Sequence, residues 1–153
     1  MSTVHLLKQV QVLPISVEEA WQFFSHPKNL AVITPENLNL KFTNEVYGDN
    51  IYPGQIITYK VKPLLGIPLF WMTEITHVEP LRFFVDEQRR GPYALWHHQH
   101  HFKSINGGTE MTDIIHYQLP FGPLGNLGLP LVKKQLAQIF AYRKQKVTEL
   151  FIH

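Results

Sequence analysis

The stretch LPLVKKQLAQIFAYRKQKVTELF, Leu129 to Phe151, decides the fold. Leu129, Val132, Leu136, Ile139, Phe140, Val147, Leu150 and Phe151 recur at the three-and-four spacing of one helix face. Lys133, Lys134, Gln138, Lys144 and Gln145 fall mostly off that face. Pro130 stands where a first-turn proline is tolerated, because the amide it lacks has no intrahelical acceptor there. A long helix with one apolar side needs an apolar surface to lie on. The preceding chain must supply it.

Working back from the helix, Pro120 to Gly128 is rich in Gly and Pro and holds Phe121, Leu124 and Leu127. It reads as a loop that covers the end of the helix, with a mobile lid or a membrane contact as alternatives. Before it the periodicity is that of strands: Leu40–Tyr47, Gln55–Lys62, Leu69–Val78, Arg82–Gln88, Ala94–Lys103 and Thr109–Leu119. Turn chemistry separates them: Gly48-Asp49-Asn50, Pro53-Gly54, Leu65-Gly66 with Pro68, Glu79-Pro80, Gly91-Pro92 and Asn106-Gly107-Gly108. Connections this short make consecutive strands antiparallel. Val4 to Leu13 reads as a further strand, ended by Pro14. Ser16 followed by Glu19 is a capping box, so Val17–Phe24 is a short helix. Lys28 to Ile33 is a second, closed before Pro35. The expected architecture is α+β: a seven-stranded curved antiparallel meander wrapped on one long C-terminal helix, with two short helices after the first strand. Such a sheet and helix diverge at one end and leave room for a ligand.

The chain of 153 residues fits one domain with a sizeable core. A net charge of +2, with no concentrated basic stripe, excludes a nucleic-acid groove. There is no cysteine, which removes disulfides, thiolate zinc sites and a cysteine nucleophile. Lys8, Gln9 and Gln11 interrupt what a signal peptide would need as an apolar core, and no run approaches a membrane span. A cytoplasmic protein without stable membrane insertion is therefore expected. Phosphate loop, dinucleotide glycine pattern and nucleophile elbow are all missing from the sequence.

Three sets of residues resemble the START/Bet v 1-like superfamily, the helix-grip fold of ligand-binding and polyketide-cyclase-like domains. The first is Pro14-Ile15-Ser16-Val17-Glu18-Glu19-Ala20-Trp21, then His26-Pro27-Lys28-Asn29-Leu30 and Ile33-Thr34-Pro35. The second is Phe84-Val85-Asp86-Glu87-Gln88, Gly91-Pro92-Tyr93 and Trp96-His97-His98-Gln99-His100-His101-Phe102. The third is Asp113, Tyr117 and Pro120. The second is the most specific, and resembles a bacterial subgroup whose domain also occurs joined to nucleotide-sugar-epimerase-like proteins. The resemblance implies a small hydrophobic or amphipathic ligand, with lipids, sterols, hormones and polyketides bound across the superfamily and cyclase or aromatase activity in some members. It also raises an epimerase-like protein as a partner. No resident cofactor or metal is implied.

The strand around Trp96 carries the chemistry. Alternation sets Trp96, His98, His100 and Phe102 on one face, bounded by large aromatics and so inward, and His97, Gln99 and His101 on the other. Two inward imidazoles each need a partner, since an unpaired one costs about 1–3 kcal/mol. Met111, Asp113, Ile115 and Tyr117 share a face of the next strand. A two-residue turn would set Asp113 opposite His100 or Phe102. Asp113 within reach of His100 would fix one tautomer and favour the charged imidazole. The cluster then reads in three ways: a self-satisfied network that pins strand register, the polar end of a ligand pocket, or a centre for acid–base or metal chemistry. His100 and Asp113 are the catalytic candidates. A metal centre would need His98, His100 and Asp113 to converge, and outward His97 and His101 could collect adventitious nickel or zinc.

Further pocket candidates follow from the same alternation. Trp71 shares a face with Thr73 and Ile75, and Leu136, Ile139, Phe140 and Arg143 point from the helix toward the sheet. Phe84 and Asp86 compete with Phe83 and Val85 for the inward side of their strand. Arg143 interrupts an apolar face and is placed to meet Asp86, Asp113 or a ligand carboxylate. Tyr93, after Gly91-Pro92, is a rim candidate. The expected ligand contacts are therefore Trp71, Phe84, Tyr93, Trp96, His98, His100, Asp113, Tyr117, Phe140 and Arg143.

Overall fold

In the computed structural model, which describes residues 3–45, 50–64 and 67–152, the serine half of the expected capping box forms. The Ser16 hydroxyl accepts the Glu19 amide at 3.1 Å and starts α1, Val17–Phe24. A shorter α2, Asn29–Val32, follows, trimmed by one residue at each end relative to the sequence pattern. A turn of 3₁₀ helix, Glu36–Leu38, then ends on Asn39 in the left-handed region.

The seven strands are β1 (His5–Leu13), β2 (Lys41–Phe42), β3 (Ile56–Leu64), β4 (Ile67–Glu79), β5 (Phe83–Arg90), β6 (Leu95–Ile105) and β7 (Gly108–Gln118). They form one antiparallel sheet in the order β1-β7-β6-β5-β4-β3-β2. The meander thus runs from β2 to β7. β1 joins it beyond β7, so the first two strands are the two edges. β2 is much shorter than the expected Leu40–Tyr47, for a local reason. Asn44 accepts the Thr58 amide at 2.9 Å and donates to the Ile56 carbonyl at 3.0 Å. Its side chain takes the ladder bonds that a continuing backbone would make, and the strand stops. Val46 and Tyr47 of that expected strand, and the Gly48-Asp49 and Leu65-Gly66 turn positions, lie outside the described residues.

α3 spans Leu129–Phe151, as the apolar stripe predicts. It buries Leu136, Phe140 and Val147 against the sheet. Gln11 of β1 ties the helix down by donating to the Lys144 carbonyl at 3.1 Å and to the Thr148 hydroxyl at 3.3 Å. Each fully buried aliphatic side chain, such as Val147 or Ile115, contributes about 1.5–3 kcal/mol. Two apolar clusters result. One joins α1, the end of α3 and the far strands through Trp21, Phe84 and Phe102, with Phe23 edge-on to Phe151 at 5.1 Å. The other gathers Ile115, Tyr117, Leu119, Leu136 and Phe140.

One expectation is overturned. Phe121, Leu124 and Leu127 do not cover the end of the helix: they point to solvent from a 3₁₀ turn, Gly122–Gly128.

Candidate functional site

Register positions the site. Ile105 pairs with Gly108, so Asn106-Gly107 is the two-residue turn, with Gly107 in the left-handed region at φ 85°. Counting back along the ladder sets His100 opposite Asp113 rather than Phe102. On the other side of β6, Phe84 faces His100 and Asp86 faces His98. This settles the facing of β5. Phe84 and Asp86 reach the interior side, while Phe83 lies against outward His101 at 5.7 Å between ring centres.

The hydrogen bonds run diagonally across this patch. His98 Nε2 lies 2.8 Å from Asp113 Oδ1, and His100 Nε2 lies 2.6 Å from Asp86 Oδ2. A twisted sheet brings such diagonal side chains within reach of each other. The second His100 nitrogen, Nδ1, is 3.3 Å from Asp113 Oδ1. The two imidazoles stack with centres 3.7 Å apart, and His100 stacks on Phe84 at 4.0 Å. From α3, Arg143 Nη1 comes to 3.6 Å of Asp113 Oδ1. Its guanidinium also lies over the Phe24 and Phe140 rings, at 5.6 and 5.8 Å. The side chains of all five ionisable residues are at most 15% exposed, so these charges interact with little screening.

Burial by itself would raise both carboxyls. At Asp113 the Arg143 guanidinium, then hydrogen bonds from His100 and His98, outweigh it and hold the group well below the usual carboxylate range. At Asp86 the hydrogen bond from His100 and the charges of both imidazoles and Arg143 leave the carboxyl lowered as well. The two histidines separate. Burial and then the neighbouring His100 push His98 down. For His100 burial is outweighed by bonds to Asp113 and Asp86, and its pKa rises. A ring with a carboxylate at each nitrogen is built to be an imidazolium. With Asp86 and Asp113 ionised and Arg143 and His100 charged, the cluster is neutral overall. Neutral His98 then donates from Nε2 to Asp113.

Above this cluster is a cavity of ≈ 220 Å³, walled by the sheet, α3 and the segment from α1 to β2. Trp71, Phe84, Tyr93, Trp96, His98, His100, Phe140 and Arg143 line it, together with Asp86. Tyr59 stacks on Trp71 at 5.9 Å, and the Trp71 indole donates to Thr73 Oγ1 at 3.0 Å. Tyr93 is held at its turn by Gln88, which donates to its carbonyl at 2.7 Å and accepts its amide at 3.0 Å. Burial pushes the Tyr59 and Tyr93 phenols up, so both remain neutral donors. Two of the expected contacts lie elsewhere. Asp113 sits behind the histidines and Arg143, and Tyr117 packs in the second apolar cluster; neither faces the cavity.

Outward His97 pairs with Glu87 at 2.6 Å, and His101 with Gln99 at 2.9 Å. Among the described residues, the one group whose donor atoms are close enough to hold a metal is Asp86, His98 and His100, within 4.8 Å of one another. The carboxylate there is Asp86, not the Asp113 that spacing suggested. Asp86 is the main residue that sequence reasoning left out of the site. Its alternation with Phe84 was the available signal, and the equally apolar Phe83 and Val85 obscured it. Thr73 lines the cavity beside Trp71, with which alternation had grouped it, whereas Tyr59 was missed because nothing in its strand distinguishes lining from core.

With this geometry in view, comparison with solved structures decides the fold. A START superfamily protein from Mycobacterium smegmatis superimposes with a TM-score of 0.71 at 12% identity, covering 96% of this chain and 97% of that one. The major latex-like protein 151 of Panax ginseng gives 0.68 at 11% identity over 98% and 99% of the two chains. The chain has the START/Bet v 1-like helix-grip fold. A Thermus thermophilus protein shares this helix-grip architecture with a TM-score of 0.69 at 15% identity, over 95% and 99%. No protein-family model and no curated protein matches the chain. The likeness is therefore one of helix-grip architecture, and what the cavity binds has to be argued from its own walls.

Proposed function

We propose that this chain binds a small, mostly apolar molecule in the cavity between the sheet and α3. The observation that carries the reading is an aromatic cavity with a charged, internally neutralised cluster along one wall. Trp71, Phe84, Tyr93, Trp96 and Phe140 offer ring faces and edges to an apolar body. Asp86, His98, His100 and Arg143 form the polar end, and Asp113 holds the histidines and the arginine in place from behind. Size narrows the ligand class. An apolar cavity of roughly 150 Å³ admits benzene. One of ≈ 220 Å³ has room for a molecule of one or two rings.

A second reading is favoured by one observation: His100, charged between two carboxylates, lies on the cavity wall. A proton there can be given to a ligand carbonyl or hydroxyl, and neutral His98 beside it can take one. That is the equipment of a cyclase- or dehydratase-like acid–base centre. In this reading His100 is the acid, while Asp113 acts through the imidazoles rather than on the substrate.

Native mass spectrometry of untagged protein tests the binding proposal. A discrete organic mass is expected on the wild type and is expected to disappear in Ile139→Trp, whose indole would occupy the cavity from α3. An apo mass for both proteins, with no mass acquired from an extract of small aromatic compounds, would overturn it.

A further inference from the structure

The turn between β7 and α3 carries an exposed apolar stripe that cavity binding does not use. Residues Gly122–Gly128 are a 3₁₀ helix, in which side chains three apart stand in line. Leu124 and Leu127 occupy that line and Phe121 immediately precedes it; Phe121, Leu124 and Leu127 are 83%, 73% and 81% exposed. Leu131, in the first turn of α3, extends it at 56%. On the opposite side the fit is tight, since a Cβ on Gly125 would lie 2.0 Å from the Pro120 carbonyl oxygen. Glycine therefore takes the inside and the large apolar residues take the outside, the reverse of a turn that covers a core. Phe121 also holds a left-handed backbone at φ 68°, an unfavourable conformation for a bulky residue. Its solvent-exposed ring gains little packing to offset that strain.

The charge along this stretch of chain is one-sided. From Ile114 to Thr148 there is neither Asp nor Glu, while Lys133, Lys134, Lys144 and Lys146 fall in this span besides the buried Arg143. Lys133 and Lys134 are exposed and follow directly on the stripe. The size of the patch selects the kind of partner. A stable protein interface takes roughly 800 Å² from each side, and four side chains supply about half of that. A lipid interface accepts a small apolar wedge without shape complementarity, and lysines beside the wedge add affinity for anionic headgroups.

We infer that the segment 121–134 docks this protein on the surface of an anionic lipid bilayer, with Phe121, Leu124, Leu127 and Leu131 in the interface and Lys133 and Lys134 against lipid phosphates. The docking is peripheral, since no helix among the described residues is long and apolar enough to cross a membrane. It is independent of what the cavity holds.

Vesicle flotation tests this, with phosphatidylcholine alone and with phosphatidylcholine containing roughly one-third phosphatidylglycerol. The wild type is expected to float with the anionic vesicles and to be released by salt. The combined Phe121→Gly, Leu124→Ser and Leu127→Ser variant should lose at least about tenfold in partitioning. Each of Lys133→Gln and Lys134→Gln should lose about fivefold, on anionic vesicles only. Phe121→Gly relieves the left-handed backbone, so circular dichroism and the cavity-bound mass should be unchanged in the triple variant. Absence of wild-type flotation on anionic vesicles overturns the inference, as does equal flotation of the triple variant. A concentration-dependent dimer that the triple variant abolishes, without vesicle binding, would reassign the stripe to a second copy of the chain.

Discussion

Replacing Asp113 by Asn tests the electrostatics of the cluster directly. The wild-type side chain receives His98 Nε2 at 2.8 Å, His100 Nδ1 at 3.3 Å and Arg143 Nη1 at 3.6 Å. An Asn keeps an acceptor for His98 but takes the counter-charge from Arg143 and His100. Breaking a buried ion pair by removing one partner costs about 3–5 kcal/mol. The retained acceptor sets Asp113→Asn at the low end, about 3 kcal/mol. Arg143→Met alone should cost about 2 kcal/mol, since a thioether can replace the guanidinium over Phe24 and Phe140. The double variant should cost about 3 rather than the additive 5 kcal/mol, a coupling near 2. Urea denaturation of the four proteins at pH 6 reads this. The pH dependence has a definite sign. Asp113 titrates lower in the folded protein than its unfolded value of about 3.9. Its contribution is therefore complete above that value and lost as pH falls through the depressed folded pKa. The gap between wild type and Asp113→Asn should be full at pH 5 to 7 and close in strong acid. Additive single-variant costs, or a gap that widens in acid, would refute the assigned pairing.

The two histidines should also separate in solution. Long-range ¹H–¹⁵N spectra are expected to show His100 keeping protons on both nitrogens at pH values where His98 is already neutral, with its proton on Nε2. As pH rises through its elevated folded pKa, His100 loses the stability it contributes below about 6.5, whereas depressed His98 costs stability as pH falls below that value. The reverse order of titration would sink the assignment. Replacing the whole cluster by apolar side chains (Asp86→Leu, His98→Phe, His100→Leu, Asp113→Leu and Arg143→Met together) should be neutral or stabilising by about 1–4 kcal/mol in urea denaturation. A collapse of several kcal/mol would instead make the network a structural requirement.

The fold was readable because its signals are long and redundant. Twenty-three residues of α3 repeat one apolar face, and the Ser16 cap is a local bond that needs no tertiary context. The site was readable where alternation met a defined turn, as with His98, His100 and Asp113. It failed where two faces were equally apolar. Phe84 and Val85 are both buried, at 6% and 7% exposure, so composition cannot tell which side of β5 carries Asp86 inward. Only the β5–β6 register decides, and that depends on how the chain passes through Gly91-Pro92. The 3₁₀ turn shows a second kind of failure. Apolar residues in a loop read as cover for the helix, yet Leu124 and Leu127 face solvent, while at Gly125 the Pro120 carbonyl leaves no room for a side chain.

The same energetics bear on why such a cluster exists. Burying two carboxylates, a guanidinium and two imidazoles is expensive, and a packed apolar wall would serve folding at least as well. The cost is contained by neutrality, which one proton on His100 completes. A neutral cluster has no strong preference for an anionic or a cationic ligand, so charge alone is a poor basis for selection in this cavity. What it offers is polarity fixed in place: donors and acceptors held by one another at 2.6 to 2.8 Å, which a ligand meets without having to order them. That arrangement favours a neutral ligand with a carbonyl or hydroxyl at one end of a ring system. The proton that completes this neutrality is shared between His100 Nε2 and Asp86, both on the cavity wall, and so links the binding and acid–base readings through that pair.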